Sequence, residues 1–252
     1  MKSISNIGSN IFRLAVFEIR KRSLNTFIGV MWSVAAPLMQ MLIIWFVMEF
    51  VFKSTQPHKF LWLVSGIGTW IVISASITKT CNSLVGRRAL IQHNNVDFKG
   101  LIMADILGEL FLLLPFFGLA IVGLLASGTV SLSLLLIPYM LVVLVSFIYG
   151  LGLVLAVLTP FLRDIPYLVG LALQVLFWLT PIAYAKSMID DRVRLIIELN
   201  PLTYYVQLSQ KIFLGDLFTM VDLVLPAVLS LAFVVVGTFV YNAFARKVVI
   251  YL

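Results

Sequence analysis

Polar and apolar residues do not alternate along this chain; they segregate into long blocks. A bilayer core of about 30 Å needs roughly 20 apolar residues in helical form. Six blocks meet that length: about Val30–Phe52, about Phe60–Thr78, Leu110–Ala126 with a start that could lie nearer Leu101, Leu132–Leu158, Ile165–Ala185 and roughly Val221–Ala245. Continuous apolar runs exclude the two-residue period that a membrane β-barrel wall requires. Pro115, Pro138 and Pro181 fall inside or at the ends of these blocks, where neighbouring helices can satisfy the freed carbonyls. Ile4, Ile7, Ile11 and Leu14 recur at helical spacing with Arg13, Arg20, Lys21 and Arg22 off that stripe. Such a segment predicts a helix lying in the headgroup plane with its cations toward anionic lipid. No short apolar core with a small-residue cleavage site precedes the first block, so a signal peptide is not expected.

Composition sharpens this picture. Of 252 residues, 62% are hydrophobic and 12% charged, with a mean hydropathy of +1.08. Soluble domains lie nearer half apolar and a quarter charged, and a globule of this size cannot hide such an excess. The chain therefore reads as an integral membrane protein, not a soluble enzyme or a nucleic-acid binder. Its net charge of +7 becomes an orientation signal. With both termini inside, 12 Lys and Arg fall on the cytoplasmic side and 6 outside, where they meet six acids.

Familiar catalytic chemistry is missing from the sequence. It has no glycine-rich loop ending in Gly-Lys-Ser/Thr, no Gly-x-Ser-x-Gly and no His-Glu-x-x-His. His58 and His93 fall on opposite sides of the membrane, and Cys81 is the sole cysteine. Asp105 and Glu109 are four apart and share a helix face. They are interfacial if the third span begins near Leu110, and lie about 6 and 12 Å along it if it begins at Leu101. Glu49 is close enough to a helix end to snorkel. The two halves share no motif, which gives an inverted-repeat carrier no support.

Four stretches carry more than generic membrane helix. The first is Arg20-Lys21-Arg22-Ser23 followed by Gly29-Val30-Met31-Trp32 and Pro37-Leu38. The second is the polar segment Asn82 to Lys99, with Arg87, Arg88, Asp97 and Phe98, long enough for a short helix across the membrane face. The third is Arg163-Asp164-Ile165, then Gln174 and Thr180-Pro181-Ile182-Ala183-Tyr184. The fourth is Asn200-Pro201-Leu202 with Tyr204, closing at Gly215. It lies in an outer loop too apolar to float in water (Leu195, Ile196, Ile197, Tyr205, Val206, Leu208, Ile212, Phe213, Leu214). Short helices dipping back into the outer leaflet, or an ordinary amphipathic surface helix, would both bury it.

In order and spacing these stretches resemble the membrane subunits of type 2 ABC exporters that move polysaccharides, the O-antigen, capsule and teichoic-acid permeases. The resemblance covers about Arg20 to Lys247. This chain departs from the family's usual pattern at Arg22-Ser23, where Arg-Tyr is common, and at Phe98-Lys99, where Phe-Pro often ends the cytoplasmic loop. The resemblance implies an all-α integral membrane protein, the transmembrane domain of a type 2 ABC exporter. Residues 1–29 would form the cytoplasmic amphipathic interface helix. Residues 30–247 would form the six-helix domain, with a cytoplasmic coupling segment at 82–99 and a re-entrant outer gate loop at 186–220. It also implies a multi-pass protein of the cytoplasmic (inner) membrane, working as two copies with two copies of a separate ABC ATPase that holds ATP and Mg. No cofactor would be bound by this chain, no activity as an enzyme would reside in it, and nucleic acid would not be a partner.

The expected substrate is a glycolipid, a polyprenyl-diphosphate-linked O-antigen or similar surface glycan. By analogy, Arg20, Arg22, Arg87, Arg88, Asp97 and Phe98 couple to the ATPase, although orientation by positive-inside bias also accounts for the charged ones. Arg22 and Arg163 are candidates for drawing in the diphosphate at the cytoplasmic entrance. Sugar C–H faces stack on aromatic rings, which makes Phe111, Phe116, Phe117, Phe177, Trp178 and Tyr184 channel candidates, although each also suits core or lipid contact. Thr180, Pro181, Asn200, Pro201 and Tyr204 would form the outer gate. Two other functions are compatible with the residues: a type 2 exporter of a drug or lipid, and a proton-coupled carrier using Asp105 or Glu109.

Overall fold

A computed structural model describes residues 14–16, 31–51, 58–93, 97–128, 131–184 and 190–251. The interface helix expected over 1–29, with Arg20 and Arg22, lies outside these apart from residues 14–16. Ten α-helices follow in the described chain: α1 Met31–Phe46, continued by a π-helical turn over Val47–Val51; α2 Lys59–Cys81; α3 Arg88–His93, entered through a tight turn at Val85–Arg87; α4 Phe98–Leu110; α5 Leu113–Ser127; α6 Ile137–Leu158, entered through Leu132–Leu136; α7 Ile165–Leu179; α8 Asp191–Leu199; α9 Pro201–Leu214; and α10 Met220–Tyr251. The protein is all-helical among the described residues.

Among the described residues, five segments are long and apolar enough to cross a membrane: Val34–Val51, Lys59–Cys81, Phe98–Leu125, Leu132–Leu158 and Met220–Ala245. The block expected as the fifth of six spans, Ile165–Ala185, forms the shorter helix α7, which stops at Leu179. Its 15 residues reach about 22 Å at 1.5 Å each. Thr180 ends it because the next residue is Pro181, which pushes its predecessor to extended backbone.

Helix α2 is the hub: most of its residues are buried, whereas α1 is almost wholly on the outside of the bundle. It packs against α4, α5, α6, α7 and α9. Three of its buried hydroxyls bond back to the preceding turn: Ser65 donates to the Leu61 carbonyl at 2.8 Å, Thr69 to Ser65 at 2.9 Å and Thr80 to Ile77 at 2.9 Å. Such back-bonding lets a buried helix carry polar residues; the buried Ser76 hydroxyl is the exception, with no hydrogen-bond partner among the described residues. Helices α6 and α10 form the most intimate pair. They meet at Gly150 and Gly237, where a Cβ on Gly237 would lie 2.1 Å from the Gly150 carbonyl oxygen, the small-residue contact of membrane helix packing.

The third span is a correction. It begins at Phe98, near the earlier of the two expected starts, and is broken at Phe111–Leu112 between α4 and α5. Asp105 and Glu109, which a start near Leu110 would have left at the interface, are buried in the bundle at 1% and 5% exposure. The physical reason is at hand for Asp105: Arg87 supplies its counter-charge from the turn after α2. Glu49, in the terminal turn after α1, stays partly exposed and pairs with Lys59 at 2.7 Å.

Candidate functional site

Three places draw the singled-out residues together. The first is the end of the bundle carrying α3, where the chain must turn between α2 and α4. Asp97 caps α4, its side chain accepting from the Lys99 amide at 3.1 Å. Arg88 is exposed on α3 and Asp97 is exposed beside α4. Arg87 points inward: its guanidinium donates to both Asp105 oxygens at 2.8 and 2.6 Å and to Ser83 at 3.1 Å. Phe98 is buried in the hydrophobic core. The two expected surface residues Arg87 and Phe98 thus fasten this segment to the bundle. Lys99 adds a further tie, its ammonium 4.9 Å from the Tyr241 ring centre.

The second place is a groove of about 970 Å³ between α1, α2, α7 and the α4–α5 break. Trp70, Phe177 and Trp178 give it an aromatic side, with Phe177 edge-on to Trp70 at 5.6 Å and to Trp178 at 5.3 Å. Gln40, Ser74, Thr78, Asn82, Glu109 and Gln174 give it polar groups. Gln40 and Gln174 are exposed on otherwise apolar helices. An amide facing hydrocarbon costs several kcal/mol, so these positions fit a wet passage better than a lipid surface. Of the six aromatic candidates, the groove gathers only Phe177 and Trp178. Phe116 is buried in the core, Phe117 packs against Phe213 at 5.8 Å, Phe111 is half-buried at the α4–α5 break, and Tyr184 lies just past the C-terminal end of α7, outside the groove lining. Arg163 is exposed on the turn that leads into α7.

The third place joins two motifs twenty residues apart. Asn200 caps α9 by accepting from the Leu202 amide at 3.0 Å, Pro201 takes the first helical position, and Gly215 at φ 73° ends the helix; this is a complete set of start and stop signals. The other half of the Asn200 amide donates to the Thr180 hydroxyl at 2.9 Å, which donates to the Leu176 carbonyl at 2.7 Å. Thr180, Pro181 and Asn200 are buried and Pro201 is half-buried. Tyr204 donates to the Glu198 carbonyl and Tyr184 to the Trp178 carbonyl, both at 2.7 Å. Burial raises both phenols above their ordinary pKa, helped at Tyr204 by the Glu198 carboxylate, so both remain donors near neutral pH.

Sequence reasoning missed what anchors α9. Tyr205, fully buried, bonds the Pro226 carbonyl at 3.1 Å and the Ser230 hydroxyl at 2.8 Å, and Ser230 donates to Val143 on α6 at 2.7 Å. Ser209 donates to the Ser65 carbonyl of α2 at 3.2 Å. The available signal was a row of polar residues at helical spacing inside an apolar loop.

With this geometry in place, similarity adds identity. Residues 9–214 match the family model described as "ABC-2 type transporter". Two curated relatives from Klebsiella pneumoniae, each named O-antigen export system permease protein RfbA, are 25% identical over 227 residues, covering 89% of this chain and 88% of theirs. A Myxococcus xanthus protein of the same name is 24% identical over 201 residues, covering 78% of this chain and 76% of its own.

Proposed function

The chain belongs to the ABC-2 type transporter family, and on that premise we propose that it is the permease subunit of an ATP-driven polysaccharide exporter. The relatives named as O-antigen export permeases support this substrate class. The observation that carries it is the groove. A pyranose has apolar C–H faces and a polar rim, and it needs aromatic rings beside amides and hydroxyls. Trp70, Phe177 and Trp178 beside Gln40, Ser74, Thr78 and Gln174 provide both.

In this reading two copies stand together in the inner membrane, each contributing one groove wall to a shared conduit. Two ATPase subunits, which hold ATP and Mg, dock beneath. Six crossings place both termini in the cytoplasm; α7 is the fifth, and α8 and α9 dip in from outside. Arg88 and Asp97, with Arg20 and Arg22 of the interface helix, meet the ATPase. Arg87 and Phe98 transmit its movement by tying that segment to α4. Arg163, with Arg22, draws the diphosphate of the lipid-linked glycan toward the groove. The Thr180–Asn200 hydrogen bond holds the outer gate, with Pro181, Pro201 and Tyr204 shaping it. Because a polymer cannot be enclosed, ATP binding advances it by tilting or parting the two copies.

Co-expression with a neighbouring ATPase gene tests the reading. The expected result is a stable complex of two copies of each chain, and a deletion strain that accumulates lipid-linked glycan inside and loses it from the surface. Surface glycan left intact by the deletion, with altered drug or lipid sensitivity, would support a different type 2 exporter instead.

A further inference from the structure

A second cavity, of about 320 Å³, opens at the opposite end of the bundle from α3. It lies between α2, the stretch after α7, α9 and the start of α10. Trp62 and Tyr184 contribute aromatic surface, and Gln207, Gln210 and Asp216 contribute amides and a carboxylate. At about 30 Å³ per water the space holds roughly ten waters, or one sugar ring with a few of them.

The walls are fixed before anything binds. The Tyr184 hydroxyl is tied to the Trp178 carbonyl, which anchors the tip of its ring. The Gln210 amide is within reach of the Pro181 and Ile182 carbonyls at 3.4 and 3.5 Å, and it lies so close to Gly66 that a Cβ there would come within 2.6 Å. Lys211 is neutralised by Asp222 at 2.6 Å, a carboxylate that also accepts from the Thr219 amide and hydroxyl. Asp216 differs from these. It follows the left-handed Gly215, is exposed, and its carboxylate has no partner among the described residues. Aromatic surface, the held amide of Gln210, the amide of Gln207 and one available carboxylate are groups that bind a pyranose: its C–H face stacks on a ring, while its hydroxyls donate to the carboxylate and exchange hydrogen bonds with the amides.

We propose that this cavity is a sugar subsite at the outer mouth, where Tyr184 and Trp62 stack on one pyranose and Asp216 and Gln207 bond its hydroxyls. Holding one residue of the emerging chain between ATPase strokes keeps the polymer from sliding back. This rests on the polysaccharide-export reading and adds a site outside the groove.

The test uses the whole exporter, permease with ATPase, in cells making the glycan. A benzophenone amino acid replaces Gln207 at the subsite, or Gln174 in the groove as reference, and co-purification with the ATPase verifies assembly. Leu214 serves as a second subsite position should the Gln207 replacement fail to assemble. The expected result is an ATP-dependent glycan adduct at both sites, with the subsite adduct falling at least threefold when Asp216→Ala or Tyr184→Leu is added. An adduct at Gln174 with none at the subsite overturns the subsite and leaves the export reading standing. So does a subsite adduct indifferent to both substitutions. No adduct at either position, together with surface glycan that survives deletion of the gene, overturns both.

Discussion

Asp105 exposes none of its side chain and receives two guanidinium bonds from Arg87, which is itself mostly covered. Removing one partner of a buried pair strands the other charge, at about 3–5 kcal/mol. Asp105→Asn and Arg87→Gln are each expected to lower the thermal stability of the detergent-purified protein by that order, and the double variant by less than the sum of the two. Stability left unchanged in Asp105→Asn, with transport abolished, would revive the carrier reading. A second residue test concerns Asn200. Asn200→Ala loses both the cap and the bond to Thr180, at about 1–2 kcal/mol for the cap and about 1 kcal/mol for the bond. Asn200→Asp keeps the cap and loses the donor, so chemical denaturation should place it between wild type and Ala. The sequence marks Asp105 as unusual but hides its partner, because Arg87 lies 18 residues earlier across a turn that spacing rules do not cover. Asn200-Pro201 with Gly215 was legible, since cap, first-turn proline and terminal glycine are local signals.

Among the elements, the α6–α10 pair is the least forgiving. A Cβ on Gly150 would lie 2.3 Å from the Phe233 carbonyl carbon, which is backbone and cannot swing aside. Gly150→Leu is expected to cost more than the usual 1–3 kcal/mol of an overpacked core, read as loss of monodisperse protein on size exclusion. Gly170, with open space around its Cβ position, should accept Ala with wild-type elution. Most spans could be read from apolar length alone, because hydrocarbon thickness sets it. The break at Phe111–Leu112 could not: it falls within a continuous apolar run and shows only as a tight turn, the Leu112 amide reaching the Glu109 carbonyl at 2.9 Å. The end of α7 was overrun for the converse reason. Apolar residues continue to Ala185, but Pro181 stops the helix.

At the scale of the whole molecule, the groove is where sequence reading was weakest. Aromatic residues are 13% of the chain, so composition could not separate Phe177 and Trp178 from the core ring of Phe116; only the packing of α1, α2 and α7 does. Gln40 and Gln174 are the more telling pair, because an amide on an exposed membrane face needs water or sugar to bond. Gln40→Leu with Gln174→Leu should leave folding and ATPase association intact and reduce surface glycan several-fold, measured by glycan immunoblot. The most direct measurement is reconstitution of purified permease and ATPase in liposomes carrying lipid-linked glycan, followed by lectin detection of glycan delivered to the far side. Delivery that requires ATP and both subunits, and that drops in the Gln40/Gln174 double variant, is the predicted result. Delivery that proceeds without the ATPase, or no delivery of glycan under conditions where the complex hydrolyses ATP, would contradict a nucleotide-driven polysaccharide conduit.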